Sequence, residues 1–250
     1  MERHGRDANA AATPRPALAL AEAEAGNDPY CAITNAPPDR PFVIAQLGQS
    51  LDGRIATLSG ESRWINKDAA LDHLHRLRAL VDAVVVGVGT VAADDPMLNV
   101  RRVPGRHPAR VIIDPSGRTP PGARCLDAGD GVRRVIVTTP EAEVTCPGVE
   151  CVRVARGENG AMEPARIVAA LAATGFKRVL VEGGASTVSQ FMDAGVIDRL
   201  HVLVAPVILG SGKPGLGLAP IARLADARRP RTRVYVLADG DVLFDCDLRT

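Results

Sequence analysis

This sequence has few aromatic residues, almost no net charge and no long apolar run. Only 3% of the 250 residues are aromatic, so stacking platforms for single-stranded nucleic acid are not expected. The net charge of +1 gives no electrostatic reason to expect nucleic acid or an anionic membrane as the main partner. No run of about 18 uncharged apolar residues occurs, which argues against a transmembrane helix. The 46% of hydrophobic residues suffices for an aliphatic core.

Cysteine is also sparse, and its spacing is uninformative. The five cysteines are an odd number and form no C-x-x-C pair, which favours a reducing compartment without disulfides. Cys146 and Cys151 lie closest together but have no histidine nearby, so we expect loop or strand cysteines and no metal site. Acidic residues interrupt the first 24 positions, unlike a secretory or transit signal. We therefore expect a cytoplasmic protein.

Two regions differ in composition. Residues 1–40 are rich in Ala, Pro and acidic groups and are predicted to be a mobile extension. Residues 41–250 are predicted to form one domain in which β-branched runs alternate with helical patterns. The predicted strands are 42–47, 83–87, 110–114, 134–138, 150–154, 178–182, 200–205, 233–237 and 241–247. The predicted helices are 67–81 with Asn66 as N-cap, 164–174 and 186–194.

This order predicts an α/β fold with a mixed, mostly parallel sheet flanked by helices. Several strands are continuously apolar, as in sheets covered on both faces. The last two strands surround an Asp239-Gly240 turn and are predicted to form an antiparallel C-terminal hairpin.

A glycine-rich corner follows the predicted strand 83–87. Gly87, Gly89 and Ala92 fit the dinucleotide-binding pattern G-x-G-x-x-A. A Rossmann unit would then need a full helix, which the prolines at positions 96, 104 and 108 exclude. This corner has two about equally good interpretations. Either its exposed backbone N–H groups bind a phosphate, or it is a simple tight turn.

A second corner joins strand 178–182 to the helix that begins near Ser186. Glu182 ends the strand, and Gly183 and Gly184 follow. Corners on parallel strands meet at one edge of a sheet, so the two together favour a phosphate-bearing ligand. Glu182 either faces that ligand or pairs with a group near the helix start.

Three other stretches are weaker signals. Residues 210–214 (GSGKP) do not satisfy the P-loop spacing and are interpreted as a flexible loop and candidate lid. Trp64, the single tryptophan, would by itself be interpreted as a staple on the following helix. His73, His75 and His201 fit surface or core positions better than catalytic ones.

The motifs in order resemble those of a known family. They are residues 50–56 (SLDGRIA), 60–65 (GESRWI), 77–79 (LRA), 86–91 (VGVGTV), 94–101 (DDPMLNVR), 181–184 (VEGG) and 205–210 (APVILG). The set resembles the pyrimidine reductase domain of riboflavin biosynthesis, which has the dihydrofolate-reductase-like fold. The resemblance runs from about Phe42 to Leu248.

The resemblance implies a reaction and a site. The family uses NADPH to reduce the ribose of a 5-amino-6-(5-phosphoribosylamino)pyrimidine to a ribityl chain, and its members commonly form homodimers. The implied cofactor residues are Gly48, Trp64, Gly87, Gly89, Thr90, Asp94, Gly184, Ala185, Ser186 and Thr187. The implied substrate residues are Ser62, Arg78, Leu98, Arg101 and Glu182, with the arginines on the 5′-phosphate. Asp52 and Glu182 are the candidate proton donors.

Two departures from the family pattern keep alternatives open. Gln46 stands where bacterial bifunctional members usually carry Lys, and Gln49 stands where a small residue is usual. The zinc-deaminase signatures of those bifunctional enzymes do not occur, so we expect a stand-alone reductase. The alternatives are a reductase of the same fold acting on a pterin or another modified pyrimidine, and a non-catalytic nucleotide-binding module.

Overall fold

The computed structural model describes residues 28–63 and 65–249. Its strands are β1 (Phe42–Ser50), β2 (Arg54–Thr57), β3 (Ala83–Gly87), β4 (Ala109–Ile113), β5 (Arg134–Thr138), β6 (Glu150–Arg153), β7 (Arg178–Glu182), β8 (Arg199–Ala205), β9 (Gly212–Pro214), β10 (Arg231–Val236) and β11 (Val242–Asp247). Its α-helices are α1 (Cys31–Thr34), α2 (Asp68–Leu80), α3 (Val88–Asp94), α4 (Pro164–Ala173) and α5 (Ala185–Asp193).

Nine strands form one sheet in the order β10-β11-β8-β1-β7-β3-β4-β5-β6. The seven strands from β8 to β6 run parallel, and β11 and β10 are added antiparallel at one edge. The predicted fold class and C-terminal hairpin are therefore confirmed. The connection after β3 contains only the seven-residue α3, in agreement with the rejection of a Rossmann unit.

Two apolar layers cover the sheet. On one face, α4 and α5 pack through Leu171 and Phe191 onto valines of the central strands. On the other face, α2 packs Leu77 against Phe42 and Ile44 of β1. Because both faces are covered, the central strands have almost no polar positions.

A buried polar row interrupts the α2 face. Glu182 on β7, Gln46 on β1, His201 on β8 and Asp245 on β11 are cross-strand neighbours in register, and all are buried. Buried polar groups need partners, and α2 supplies them to two members of the row. One is Arg78, which bonds Glu182.

His73 of α2 is the other partner. It bonds His201 (Nε2 to Nδ1, 3.0 Å) and Tyr30 (Nδ1 to the phenol oxygen, 2.8 Å). On the far side, His201 Nε2 lies 3.2 Å from Asp245 Oδ1. Burial and the neighbouring His201 and Arg76 hold the pKa of His73 well below its usual value. The two histidines are core residues, one of the two positions that the sequence left open.

The Tyr30 contact corrects part of the predicted extension. Residues 28–40 lie against the domain: Ile33 in α1 is 1% exposed, and Arg40 pairs with Asp198 at 2.8 Å. An apolar side chain buried in this way holds the segment in place, so the domain begins upstream of residue 41. The remaining residues of the predicted extension, 1–27, lie outside the described residues.

Two local predictions were wrong. Asn66 does not cap α2; Lys67 occupies that position, and the Asp239 carboxylate accepts the hydrogen bond from the Ala69 N–H at 2.8 Å. Part of the predicted loop 210–214 forms β9, which pairs antiparallel with β2 in a separate ribbon. Both features depend on segments more than 150 residues apart, which local sequence patterns do not report. In the described part of the chain, no helix has the length and apolar character needed to cross a membrane.

Candidate active site

The two glycine corners meet at the carboxyl edge of the sheet. Their strands, β3 and β7, are parallel neighbours, and the Gly184 N–H donates a hydrogen bond to Thr90 Oγ1 at 3.0 Å. A Cβ on Gly87 would lie 2.6 Å from Thr187 Oγ1. Gly183 has a φ of 127°, which favours glycine. The structure thus brings together Gly87, Thr90, Gly184 and Thr187 and requires glycine where the elements touch.

The first turn of α5 is open to a ligand. Ala185 begins the helix after the Gly184 N-cap, and the Thr187 N–H is bonded to the Gly184 carbonyl at 3.1 Å. The N–H groups of Ala185 and Ser186 have no intrahelical acceptor, as expected for the start of a helix. Such groups bind phosphate well.

The other predicted cofactor residues are not part of this corner. Gly89 and Asp94 are exposed on α3. Gly48 lies on β1 against Asn66, whose Oδ1 would clash with any Cβ at that position. Gly48 thus has a packing function, and Trp64 lies outside the described residues.

Arg78 and Glu182 form a buried ion pair beside the corners. Arg78 donates from Nε to Oε1 at 2.7 Å and from Nη2 to Oε2 at 2.6 Å, and its Nη1 donates to the Asn99 carbonyl at 3.0 Å. Burial lowers the pKa of Arg78 and the Glu182 carboxylate raises it, with a net upward shift. Glu182 thus pairs with Arg78 of α2, a partner other than the start of α5 that the sequence suggested.

This pairing corrects the catalytic assignment of Glu182. Protonating the carboxylate would remove a charge-assisted bond and leave Arg78 as an uncompensated buried cation. Glu182 is thus poorly suited to donate a proton, and its geometry fits the role of orienting Arg78.

Arg101 approaches the same place from the rim. Its Nη1 donates to Asn99 Oδ1 at 3.0 Å, and its backbone N–H donates to His75 Nδ1 at 3.1 Å. Arg78 and Arg101 thus both donate hydrogen bonds to Asn99, and their predicted convergence on a phosphate stays a prediction. Burial first, and then the neighbouring cations Arg78 and Arg101, together lower the pKa of His75 to about 4, so His75 is a neutral acceptor near pH 7. Sequence reasoning missed Asn99 and His75, although both lie within or beside the quoted motifs.

Leu98 is placed differently from its predicted role. It is 2% exposed and packs in the core below α2, so its side chain is not open to a ligand. Leu98 and Asp95 have φ values of 54° and 40° and are the non-glycine residues with left-handed backbone in the described chain. Backbone strain of this kind accumulates at functional sites. The buried Leu98 anchors the strained loop that carries Asn99. Ser62, another predicted substrate residue, is exposed in the turn after β2.

Asp52 is an anchor for a neighbouring loop. Its carboxylate accepts hydrogen bonds from Ser50 Oγ at 2.6 Å, Leu209 N–H at 3.1 Å and Gly210 N–H at 2.7 Å. The Ser50 bond and then these backbone bonds lower the pKa of Asp52 to about 2. The group is ionised near neutral pH, so its assignment as a proton donor conflicts with the structure.

A cleft of about 300 Å³ lies beside the α5 corner. Its walls include Ile113 at the end of β4, Pro115 just after it, Thr187 and Phe191 of α5, and Arg156. The Arg156 guanidinium donates to the carbonyls of Gly160 at 2.9 Å and Pro115 at 3.3 Å. Sequence reasoning missed Arg156 because it lies in an irregular segment without a motif.

A parallel α/β sheet with paired glycine corners and a cationic pocket at its carboxyl edge defines a class of nucleotide- or phosphate-binding proteins. Comparison with known proteins identifies the family within that class. The family model of the RibD C-terminal domain matches residues 41–233. The chain belongs to this family.

Relatives and solved structures agree with this assignment. The riboflavin biosynthesis protein RibD of Aquifex aeolicus is 35% identical over 213 residues, covering 82% of this chain and 58% of that protein. The 2,5-diamino-6-ribosylamino-4(3H)-pyrimidinone 5′-phosphate reductase of Methanothermobacter thermautotrophicus is 35% identical over 80% of this chain and 95% of its own. A deaminase/5-amino-6-(5-phosphoribosylamino)uracil reductase of Thermotoga maritima superposes with a TM-score of 0.69 and 30% identity over 84% of this chain and 57% of that protein. The chain thus spans little more than half of its bacterial relatives and nearly all of the archaeal one.

Proposed function

We propose that this protein is an NADPH-dependent reductase that converts the ribosyl group of a 5-amino-6-(5-phosphoribosylamino)pyrimidine to ribityl in riboflavin biosynthesis. The observation that carries the proposal is the Arg78–Glu182–Asn99–Arg101 cluster, which lies beside the paired glycine corners at one sheet edge. The archaeal relative, named as a reductase of a ribosylaminopyrimidinone 5′-phosphate, is matched over nearly its whole length and supports the same reaction.

The glycine corner and the cleft fit a dinucleotide. Backbone N–H groups of Ala185 and Ser186 would hold the pyrophosphate, and Gly87 and Gly184 permit close approach. The apolar cleft beyond α5 would take the adenosine half. When bound there, NADPH would supply the hydride for the sugar carbon. Arg156, on the cleft wall, is in place for a 2′-phosphate, so Arg156→Gln should raise KM for NADPH more than for NADH.

The chain's own residues bind and orient the substrate. Arg78 is fixed by Glu182, and Arg101 bonds the same Asn99. A sugar phosphate bound by the two arginines would have a fixed sugar position. Neither Asp52 nor Glu182 is suited to protonate the sugar oxygen. We therefore assign that proton to water at the exposed rim.

The test is oxidation of NADPH by the purified chain with the 2-amino and the 2-oxo forms of the phosphoribosylaminopyrimidine. Steady consumption with formation of the ribityl product is expected for one of the two forms. Arg101→Gln should then raise KM for that substrate without changing the affinity for NADPH. NADPH binding without oxidation of either pyrimidine would instead favour the non-catalytic module, and turnover of a dihydropterin alone would favour the paralogous reductase.

We further propose a homodimer. Strand β10 forms one edge of the sheet and exposes Val234 (56%) and Val236 (76%). An unpaired edge strand with exposed apolar side chains is a template for pairing with a second copy. Sedimentation at twice the chain mass of 26.2 kDa tests the proposal.

We place the protein in the cytoplasm. The support is that Cys31, Cys125, Cys146, Cys151 and Cys246 are all free thiols in the structure. Proteins of oxidising compartments use such residues for disulfides, whereas free thiols are usual where reductants are abundant.

A further inference from the structure

The segment from Leu98 to Arg101 is held in one conformation by contacts along its length. Leu98 has a φ of 54° and is 2% exposed, so a buried side chain anchors strained backbone. The Val100 N–H donates to His107 Nδ1 at 3.1 Å, and the Arg101 N–H donates to His75 Nδ1 at 3.1 Å. Left-handed backbone at a leucine costs free energy and persists only where surrounding contacts over-determine it. The segment is therefore rigid before any ligand binds.

Asn99, in the middle of this segment, uses both of its oxygen atoms to hold guanidinium groups. Its backbone carbonyl accepts a hydrogen bond from Arg78 Nη1 at 3.0 Å, and its side-chain Oδ1 accepts one from Arg101 Nη1 at 3.0 Å. Among the described residues, the Arg101 guanidinium has no other hydrogen-bond acceptor. Asn99 thus orients the long side chain of Arg101 and connects it to Arg78 of α2.

The partner of Arg101 is a neutral amide, which orients the guanidinium without cancelling its charge. Arg78 differs, because the Glu182 carboxylate pairs with it at 2.6 Å. An arginine that is oriented beforehand loses less side-chain entropy when it binds an anion. A carboxylate at position 99 would hold Arg101 at least as firmly, but it would compete with an anionic ligand for the same N–H groups. An amide is therefore the partner that prepares this cation for an anion.

We propose that Asn99 is a positioning residue of this site, which orients Arg101 for the phosphate of the substrate while leaving its positive charge available. The proposal rests on the proposed function for the identity of the ligand, a sugar phosphate. Asn99 acts through Arg101, so its side chain affects binding only as long as that guanidinium is present.

Binding of ribose 5-phosphate to the full chain, measured by titration calorimetry without cofactor, tests this role. Asn99→Ala removes Oδ1 but retains the backbone carbonyl that holds Arg78, and it should raise the Kd about fivefold, the size of one hydrogen bond. Asn99→Asp retains the acceptor and adds a charge, and it should raise the Kd about tenfold without lowering the melting temperature. A merely structural role predicts wild-type affinity for Asn99→Asp, because the acceptor for Arg101 is still present.

The Arg101→Gln background shows whether Asn99 acts through Arg101. In that background, Asn99→Ala should change the Kd less than about twofold, because no guanidinium is left to orient. The same fivefold loss in both backgrounds would overturn the proposal, since Asn99 would then act on the ligand or on the fold by another route.

The matched control is Asn159→Asp. The Oδ1 of Asn159 accepts a hydrogen bond from the Ala161 N–H at 3.0 Å in the segment before α4, on the opposite face of the sheet from Leu98. The variant therefore adds the same charge to an exposed amide acceptor away from Arg101. An equal rise in Kd for Asn159→Asp and Asn99→Asp would indicate only the long-range field and would overturn the proposal, as would an unchanged Kd for Asn99→Asp.

The failure of this proposal and that of the proposed function are distinguishable. If wild type binds ribose 5-phosphate but reduces no pyrimidine, the proposed function fails, and the binding constants of the variants still decide the role of Asn99. If wild type binds no ribose 5-phosphate, the assignment of Asn99 fails, whatever the outcome of the turnover assay.

Discussion

The buried Arg78–Glu182 pair permits a quantitative test by Glu182→Gln. The two side chains are 7% and 8% exposed and share two charge-assisted bonds. The amide keeps the size of the carboxylate but removes its charge and turns an NH₂ group toward the guanidinium. Breaking such a pair on one side costs about 3–5 kcal/mol, because the other charge stays buried and uncompensated. A loss of about 3 kcal/mol would lower Tm by about 6–12 °C in a chain of this size.

The surface pair Arg133–Glu150 is the matched control. It has the same two-bond geometry, at 2.8 and 2.7 Å, but its side chains are 42% and 47% exposed. Solvent screens such a pair, so Glu150→Gln should cost less than about 1 kcal/mol. Urea unfolding of both variants gives the two free energies of unfolding, and calorimetry gives the Tm values.

The double variant Arg78→Met/Glu182→Leu completes the test. Removing both charges relieves the uncompensated cation, so the double variant should be more stable than Glu182→Gln alone while losing substrate affinity. A loss for Glu182→Gln no larger than that for Glu150→Gln would refute the reasoning, since the pair would then behave as if solvated.

Two further predictions concern the same edge of the sheet. The pKa of His75 is lowered from 6.5 to about 4 in the folded chain, so the unfolded chain binds the proton first as the pH falls. The free energy of unfolding should therefore have its full His75 contribution above pH 6.5 and decrease as the pH drops toward 4. His75→Asn retains an acceptor for the Arg101 N–H without titrating and should flatten this pH profile of urea unfolding; an unchanged slope would assign the acid loss to other groups. Gly87→Ala should weaken NADPH binding at least several-fold in fluorescence titrations, because the added Cβ pushes Thr187 out of the corner. Gly89→Ala should fold normally, because its added Cβ meets nothing within 4 Å. Equal affinities for Gly87→Ala and wild type would show that the corner does not hold the cofactor.

The sequence predicted the central strands closely. The bounds of β3, β5 and β7 agree with the predicted strands 83–87, 134–138 and 178–182, because each contains a short continuous apolar run that suits a strand covered on both faces. The meeting of the two glycine corners could also be predicted, since neighbouring parallel strands end at the same edge of a sheet. The ends of α2 and the ribbon of β2 with β9 could not be predicted, because their partners come from distant segments.

The charge state of the site was equally inaccessible from sequence. Motifs placed Arg78 and Glu182 near the pocket, but their mutual bonding depends on α2 crossing β7, and the two residues are 104 positions apart. Glu182, predicted as a proton donor, is therefore the ion-pair partner of Arg78 in the structure. The role of Asp52 could not be predicted for a similar reason, since two of the three hydrogen bonds that it accepts come from the distant Leu209 and Gly210.

The buried polar row also restricts how the strands can align. Side chains alternate between the faces of a strand, so a slip of β8 by one residue would move His201 among the valines beneath α4 and α5 and set Leu200 or Val202 against His73. An all-apolar sheet would tolerate such a slip at small cost, because one valine replaces another. In this sheet each one-residue slip buries a histidine or a carboxylate among apolar side chains without a partner. The row therefore disfavours misaligned sheets during folding.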